Sequence, residues 1–223
     1  VVVTSADSKE GKTLTTLNMA VVTAQMGKKV LLVDMDLRRG RLHRSLAMDK
    51  DPGFSDVLKN SLPLRKVIAH TRIENLDFIP TGSSPENSAE LLHSADLRRL
   101  FKDIEYDYDY IFIDTSPLLR VTDAVIVSTQ LRKPLVFVAH VNRTPKPMIK
   151  YALSLIKDVP VIGVIMNSIE MHKIGSLYYA YQYPNYAYYS NAYRYGYDYS
   201  DRRDGKTRRG AGDAKGADKL VRS

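Results

Sequence analysis

The first sixteen residues, VVVTSADSKEGKTLTT, restrict the fold of this chain more than any other stretch. Three β-branched residues open it and polar, turn-forming residues follow, a pattern that predicts a buried strand ending in a loop. Good helix formers then run over residues 13–25. A strand, a loop and the start of a helix together form an arrangement that binds phosphate groups.

The loop carries most of a known phosphate-binding motif. Gly11, Lys12 and Thr13 match the end of G-x-x-x-x-G-K-[ST], while Ala6 stands at the usual first glycine. Gly11 lets the backbone approach phosphate oxygens, and N–H groups at the helix start point at the anion. Lys12 adds a positive charge for the β and γ phosphates, and the Thr13 hydroxyl can bind Mg²⁺. GKT can begin any helix by chance, but its place directly after an apolar strand favours a nucleotide site.

Length and composition predict one α/β domain with a tail. The chain has 223 residues, no cysteine and no run of about 18 apolar residues. We therefore expect a soluble chain without signal peptide, disulfides or thiolate metal sites. The net charge is +8, and residues 200–223 hold eight Lys or Arg against four Asp. Such a tail more often favours solubility or an anionic surface than sequence-specific nucleic-acid binding.

Two further apolar runs each end in acidic residues. Asp34 and Asp36 follow the run 30–33, and Asp114 follows the run 110–113. The carboxyl ends of parallel strands are where ligands bind in open α/β sheets. Acids there can simply belong to a solvated loop, but beside a phosphate loop a general base or a contact to magnesium-bound water is the better interpretation.

The alternation of strands and helices predicts a three-layer P-loop NTPase fold with a mostly parallel sheet. Six strands are expected, the last over 161–166, with Asn167 at the ligand edge. We expect Asp123 to act as a helix cap. His43, His93 and His140 are isolated, so we assign them no catalytic role. Short helices are predicted over 53–58, 64–69, 87–92, 96–104 and 145–157.

The end of the chain is rich in tyrosine. Each buried phenol would need its own hydrogen-bond partner, so we expect these side chains to be exposed. The predicted parts are 1–176, a phosphate-binding domain; 177–199, the tyrosine cluster; and 200–223, a basic tail, the last two flexible. The cluster is either a segment that stacks on a partner or on bases, or a row of phosphate acceptors. Eleven of the fifteen tyrosines lie here: Tyr178, Tyr179, Tyr181, Tyr183, Tyr186, Tyr188, Tyr189, Tyr193, Tyr195, Tyr197 and Tyr199.

Together these motifs resemble the bacterial tyrosine kinases, or BY-kinases, of capsule and exopolysaccharide synthesis. The resemblance covers about residues 1–174 and the tyrosine cluster. It rests on EGKT (10–13), VLLVDMDLRRGRLH (30–43), GFSDVL (53–58), TGSSPENSAELL (81–92), YIFIDTSPLLRVTDA (110–124) and VIGVIMN (161–167).

The resemblance implies an ATP/ADP and Mg²⁺ site. Its catalytic residues would be Lys12, Asp34, Asp36 and Asp114, and its metal contacts Thr13, Asp34 and Asp114. The implied nucleotide contacts are Ser8, Lys9, Glu10, Gly11, Lys12, Thr13, Leu14 and Asn167, the last near the adenine.

The resemblance also implies autophosphorylation of the tyrosine cluster in trans, within a homo-oligomeric ring that regulates polysaccharide polymerisation and export. The implied partners are a membrane polysaccharide co-polymerase and a cognate tyrosine phosphatase, with no specific nucleic acid. The implied location is the cytoplasmic face of the bacterial inner membrane.

Two departures from the family pattern leave alternatives open. Ser8 and Lys9 stand where family loops commonly carry Pro-Gly, and the chain opens on its first strand, as expected of an excised cytoplasmic domain without the preceding subunit-contact helix. ATPases of the ParA and MinD type share the fold and motifs, but they carry a lysine where this chain has Asp7. A catalytically weak nucleotide-binding scaffold of polysaccharide export is the third interpretation.

Overall fold

A seven-stranded sheet forms the centre of the structure, a computed structural model that describes residues 1–60, 62–157 and 159–168. The strand order is β3-β4-β2-β5-β1-β6-β7, and all neighbours are parallel except β3 and β4. This confirms the predicted mostly parallel sheet. The strands are β1 (Val2–Ser5), β2 (Val30–Asp34), β3 (Ala69–His70), β4 (Leu76–Ile79), β5 (Tyr110–Asp114), β6 (Leu135–His140) and β7 (Val161–Asn167).

Helices cover both faces of the sheet. The first two pack on one face, where they bury apolar residues such as Ala20 and Leu42 against Leu32 and Phe78. The other five lie on the opposite face, where Phe54 and Val127 join Val33 in the larger core. The helices are α1 (Lys12–Gln25), α2 (Leu42–Ser45), α3 (Phe54–Asn60), α4 (Ser88–Ser94), α5 (Leu97–Lys102), α6 (Asp123–Leu131) and α7 (Lys146–Ser154), with 3₁₀ turns at Leu64–Val67 and Glu105–Asp107.

The strand register brings the predicted acidic residues to one edge of the sheet. Strands β2 and β5 are parallel neighbours, and Asp34 pairs directly with Asp114. Strand β1 lies beside β5, with Val3 paired to Asp114, so the loop after β1 leaves from the same edge. Every residue of β1 and β2 is buried, as expected of central strands covered on both faces.

One strand was not predicted. We expected a helix over 64–69, but the 3₁₀ turn ends at Val67, and Ala69 and His70 form β3, antiparallel to β4. A two-residue strand is too short to show any periodicity. Contacts with β4 hold it instead, including His70 Nδ1 at 2.7 Å from Asp77 Oδ1.

The assignment of Asp123 as a helix cap was also wrong. Thr122 occupies the cap position of α6, and Asp123 begins the helix with its side chain buried. Its carboxylate accepts hydrogen bonds from Arg38 Nε at 3.0 Å and Ser88 Oγ at 2.7 Å. Asp123 therefore connects α6 to α4 and to the loop after β2, a connection that local sequence cannot reveal.

The tyrosine cluster and the basic tail lie outside the described residues, so their predicted boundaries stay predictions. In the described ranges, no helix is long and apolar enough to cross a bilayer.

Candidate active site

The loop between β1 and α1 presents free backbone donors at the start of the helix. Among the described residues, the N–H groups of Gly11, Lys12 and Thr13 find no acceptor. Gly11 has φ 90°, and a Cβ there would lie 1.9 Å from Nδ2 of Asn167. Only glycine satisfies both the positive φ and the close approach. Free donors at a helix N-terminus form an anion site, as the motif predicts.

Lys12 is the central charge of the site. Its Nζ lies 3.3 Å from Asp114 Oδ1 and 3.5 Å from Asp36 Oδ2, and it donates to Thr13 Oγ1 at 3.1 Å. Burial lowers the pKa of Lys12, but the carboxylates of Asp114, Asp36 and Asp34 outweigh burial and raise it. The ammonium is therefore charged and stands between two strand ends.

The carboxyl groups of Asp34 and Asp114 are both buried and lie beside each other. Burial, and next the charge of Asp114, raise the pKa of Asp34 to about 7. Burial also raises the pKa of Asp114, against the opposing effect of Lys12. Two neighbouring acids in a low dielectric resist ionising together unless a cation joins them. Lys12 supplies one such charge, and a bound metal ion could supply more.

The three acids use their oxygens differently. Asp34 accepts backbone N–H groups from Asp36 at 3.3 Å and from Leu42 at 3.1 Å. Asp36 accepts the N–H of Arg39 at 3.1 Å through Oδ1 and faces Lys12 through Oδ2. Asp36, unlike the other two, borders the open cleft. This position suits Asp36 for contact with a reacting group and the other two for a supporting role.

A cleft of 760 Å³ opens over the phosphate loop. Of the predicted nucleotide contacts, Ser8, Lys9, Gly11, Lys12, Thr13 and Leu14 border it, whereas Glu10 and Asn167 do not. The other residues of its wall were not predicted from sequence as contacts: Asp7, Arg38, Arg39, Arg41, Ser116, Pro117, Arg120 and Val121. The run of arginines after β2 was visible in the sequence and could have suggested an anion-binding rim.

The predicted contacts Glu10 and Asn167 turn toward the protein. The buried Glu10 carboxylate accepts the Asp7 N–H at 2.9 Å and a hydrogen bond from the Thr144 hydroxyl. The Asn167 amide donates to the Glu10 carbonyl at 2.9 Å. These bonds connect the phosphate loop to the ends of β6 and β7. A contact between Asn167 and the adenine stays a prediction.

Ser8 and Lys9, which stand where the family commonly carries Pro-Gly, change the backbone conformation that the loop can adopt without strain. Lys9 has φ 64°, in the left-handed region that a glycine adopts at least cost. The side chain is exposed at the cleft. The missing glycine therefore produces backbone strain as well as an added charge.

The donor set fits Mg²⁺ held mainly by phosphate and water. No group of three or more His, Cys, Asp or Glu in the described ranges is placed to bind a metal directly. Magnesium keeps several waters and takes few protein ligands when it binds with a nucleotide. The Thr13 hydroxyl at the helix start and the carboxylates around Lys12 suit that mode, with the acids acting through water.

Comparison with known proteins places these features in a family. Residues 2–133 match the AAA_31 family model, described as an AAA domain. The tyrosine-protein kinase ptk of Acinetobacter johnsonii is 36% identical over 167 residues, 74% of this chain and 23% of the relative. The putative tyrosine-protein kinase CapB of Staphylococcus aureus is 33% identical over 181 residues, 80% of this chain and 79% of the relative.

The solved structures that resemble this chain include a bacterial tyrosine kinase. The kinase domain of the Escherichia coli tyrosine kinase ETK matches with a TM-score of 0.71 and 31% identity, over 76% of this chain and 67% of the other. The septum site-determining protein MinD of Pyrococcus horikoshii, solved with Mg-ADP, matches less well: TM-score 0.59 and 26% identity, over 74% and 68%.

The fold and the phosphate loop define a nucleotide-binding domain of the P-loop ATPase type. Within that class, the chain belongs to the family of bacterial tyrosine kinases. The chain spans about a quarter of the Acinetobacter relative and of the EpsB protein of Ralstonia solanacearum.

Proposed function

We propose that this chain is an ATP-dependent protein-tyrosine autokinase that phosphorylates its own C-terminal tyrosine cluster in trans. The single observation that carries the proposal is the position of Lys12, whose ammonium lies between Asp114 and Asp36 at the phosphate loop. A fixed cation there stabilises charge that develops on a transferring phosphoryl group.

Asp36 is proposed as the base, because it borders the cleft and its partner Lys12 lies beside the phosphate loop. A phenol has a pKa of about 10 and is a poor nucleophile until its proton is removed. The phenolic oxygen bonds to the γ phosphorus as the bond from that phosphorus to the ADP oxygen breaks. The phenolic proton passes to Asp36, and ADP leaves.

The remaining residues hold the nucleotide in line. The N–H groups of Gly11, Lys12 and Thr13 would bind the phosphates, and Ser8, Lys9 and Leu14 border the same cleft. Thr13 would hold Mg²⁺, with Asp34 and Asp114 bound to its waters. The ion would neutralise phosphate charge and orient the γ phosphate.

The cellular role is proposed by analogy with the matched kinases. A ring of copies acting with a membrane polysaccharide co-polymerase, opposed by a tyrosine phosphatase, would regulate polysaccharide export at the cytoplasmic face of the inner membrane. A tether of about twenty residues can reach a neighbouring copy at high effective concentration, and we propose that the tyrosine segment acts in this way.

A nucleotide switch of the MinD type is the main competing function, because MinD shares the fold. Against it, the position of the characteristic lysine is held by Asp7, whose carboxylate pairs with Arg120. A scaffold that binds nucleotide without turnover is the other alternative.

A mixing experiment tests transfer in trans. The acceptor is the Lys12→Met chain with its tyrosine cluster intact, and the enzyme is a chain in which all eleven tyrosines of the cluster are replaced by Phe. With Mg²⁺ and labelled ATP, we expect label on the Lys12→Met chain only in the mixture. Label in neither chain would contradict transfer in trans, and label on the Lys12→Met chain incubated alone would exclude the role of Lys12.

A further inference from the structure

Arg120 lies on a loop that is tied directly to the phosphate loop. The N–H of Leu118 donates to the Ser5 carbonyl at 2.9 Å, and the N–H of Leu119 donates to the Ala6 carbonyl at 3.1 Å. The two loops therefore form one backbone unit. Arg120 follows these bonds and borders the same cleft as Lys12.

The guanidinium of Arg120 pairs with both oxygens of Asp7, with Nη2 at 2.8 Å from Oδ2. The Asp7 carboxylate also accepts the Ser8 N–H at 2.6 Å, so it occupies a backbone donor of the phosphate loop. The Arg120 side chain is 61% exposed. An exposed ion pair of this kind contributes little to stability, so a competing anion can replace Asp7 at small cost.

A terminal phosphate is a stronger partner than a carboxylate for this cation. It carries more negative charge, and it accepts two parallel N–H groups from a guanidinium. Arg38 borders the cleft too, but its partner Asp123 is buried and also binds Ser88. If Arg38 moved to a phosphate, the buried carboxylate of Asp123 would lose its cation, which is costly. If Arg120 moved instead, the carboxylate of Asp7 would still be partly in contact with water.

We propose that Arg120 exchanges Asp7 for the terminal phosphate of bound ATP and so selects ATP over ADP. The proposal rests on the nucleotide site of the proposed function. Arg120 would then contact the substrate directly, and Asp7 would be a positioning residue that holds Arg120 at the cleft.

Calorimetric binding of a non-hydrolysable ATP analogue and of ADP, each with Mg²⁺, tests the exchange. We expect Arg120→Gln to weaken the analogue about tenfold and ADP less than about twofold. We expect Asp7→Asn to tighten the analogue, because it frees Arg120 and removes a negative charge from the cleft. Arg65→Gln is the control, since Arg65 is equally exposed and pairs with Asp107 away from the cleft.

Equal losses for both nucleotides in Arg120→Gln, or no loss, would overturn the role of Arg120. Weaker analogue binding in Asp7→Asn would show that the pair is a fixed structural unit, and would overturn the exchange. Failure of the unmodified protein to bind either nucleotide would contradict the proposed function itself. Because the readout is a ratio of affinities, it does not depend on tyrosine transfer.

Discussion

Lys9 has the least favourable backbone conformation in the phosphate loop. Its φ of 64° costs an L-residue about 1–2 kcal/mol, whereas glycine adopts it freely but adds entropy to the unfolded chain. The residue was noted from sequence only as a departure from Pro-Gly. The loop keeps its shape because backbone groups of Asp7, Glu10 and Gly11 are each held by a hydrogen bond.

Two replacements of Lys9 distinguish the effect of backbone strain on stability from the effect of the lysine charge. We expect Lys9→Gly to exceed Lys9→Ala in free energy of unfolding by about 0.5–1 kcal/mol, because both remove the charge but only glycine relieves the strain. Urea denaturation of the two variants measures the difference. Equal stabilities would mean that the loop carries no strain at this position.

Asp56 fixes the turn before α3. It accepts the Gly53 N–H and the Ser83 hydroxyl, each at 2.8 Å. Burial alone would raise the pKa of Asp56, but hydrogen bonds from Gly53 and Ser83, together with the nearby charge of Lys59, outweigh burial and lower it. The carboxylate thus stabilises the fold above its unfolded pKa of 3.8, and this stabilisation is lost as the pH falls through the lower folded pKa.

We expect Asp56→Asn to reduce the free energy of unfolding by about 1–2 kcal/mol at pH 7. The difference in unfolding free energy between the two proteins should shrink as the pH falls below 3.8, where the Asp56 carboxyl group of the unmodified protein becomes protonated. Denaturation curves across this range test the sign. A difference that grows toward acid would contradict the assignment.

The strand ends show what sequence could predict about the elements. Asp34 and Asp114 each follow an apolar run, and such runs predict parallel strands whose carboxyl ends share one edge of the sheet. The pairing of those two residues depends on strand order, which sequence does not determine. The contacts of Asp123 and the wall residue Arg120 depend on packing between distant segments and carried no local signal.

Replacing Asp123 tests how much a contact between segments distant in sequence stabilises the fold. Because its buried carboxylate joins Arg38 and Ser88, we expect Asp123→Ala to cost about 2–4 kcal/mol of unfolding free energy. Asp96→Ala is the matched control, since Asp96 caps α5 through the Arg99 N–H and should cost about 1 kcal/mol. Equal costs for both variants, measured by urea denaturation, would restore the capping interpretation of Asp123.

For the whole molecule, the fold and the family follow from motifs present in the sequence, whereas the regulation that we propose would depend on the tyrosine cluster and the basic tail. The tail carries an excess of four positive charges, and each phosphate adds about −1.5 to −2. Several phosphates would therefore reverse its sign. We expect progressive phosphorylation to repel tails from the acidic residues of neighbouring sites and to loosen any ring.

Light scattering before and after phosphorylation tests this effect. We expect the mass to shift from oligomer toward monomer as phosphates accumulate. It should stay constant in the chain in which the tyrosines of the cluster are replaced by Phe. An assembly that is indifferent to phosphorylation would leave the tail as a substrate only.

A labelling experiment tests directly whether phosphate passes from ATP at Lys12 to the chain's own tyrosine cluster. Purified protein is incubated with Mg²⁺ and labelled ATP, and the labelled residues are mapped by mass spectrometry. We expect label within residues 178–199 and a loss of about 100-fold or more in rate with Lys12→Met. Label only on Tyr106, Tyr108, Tyr110 or Tyr151, or near-normal labelling of Lys12→Met, would contradict it.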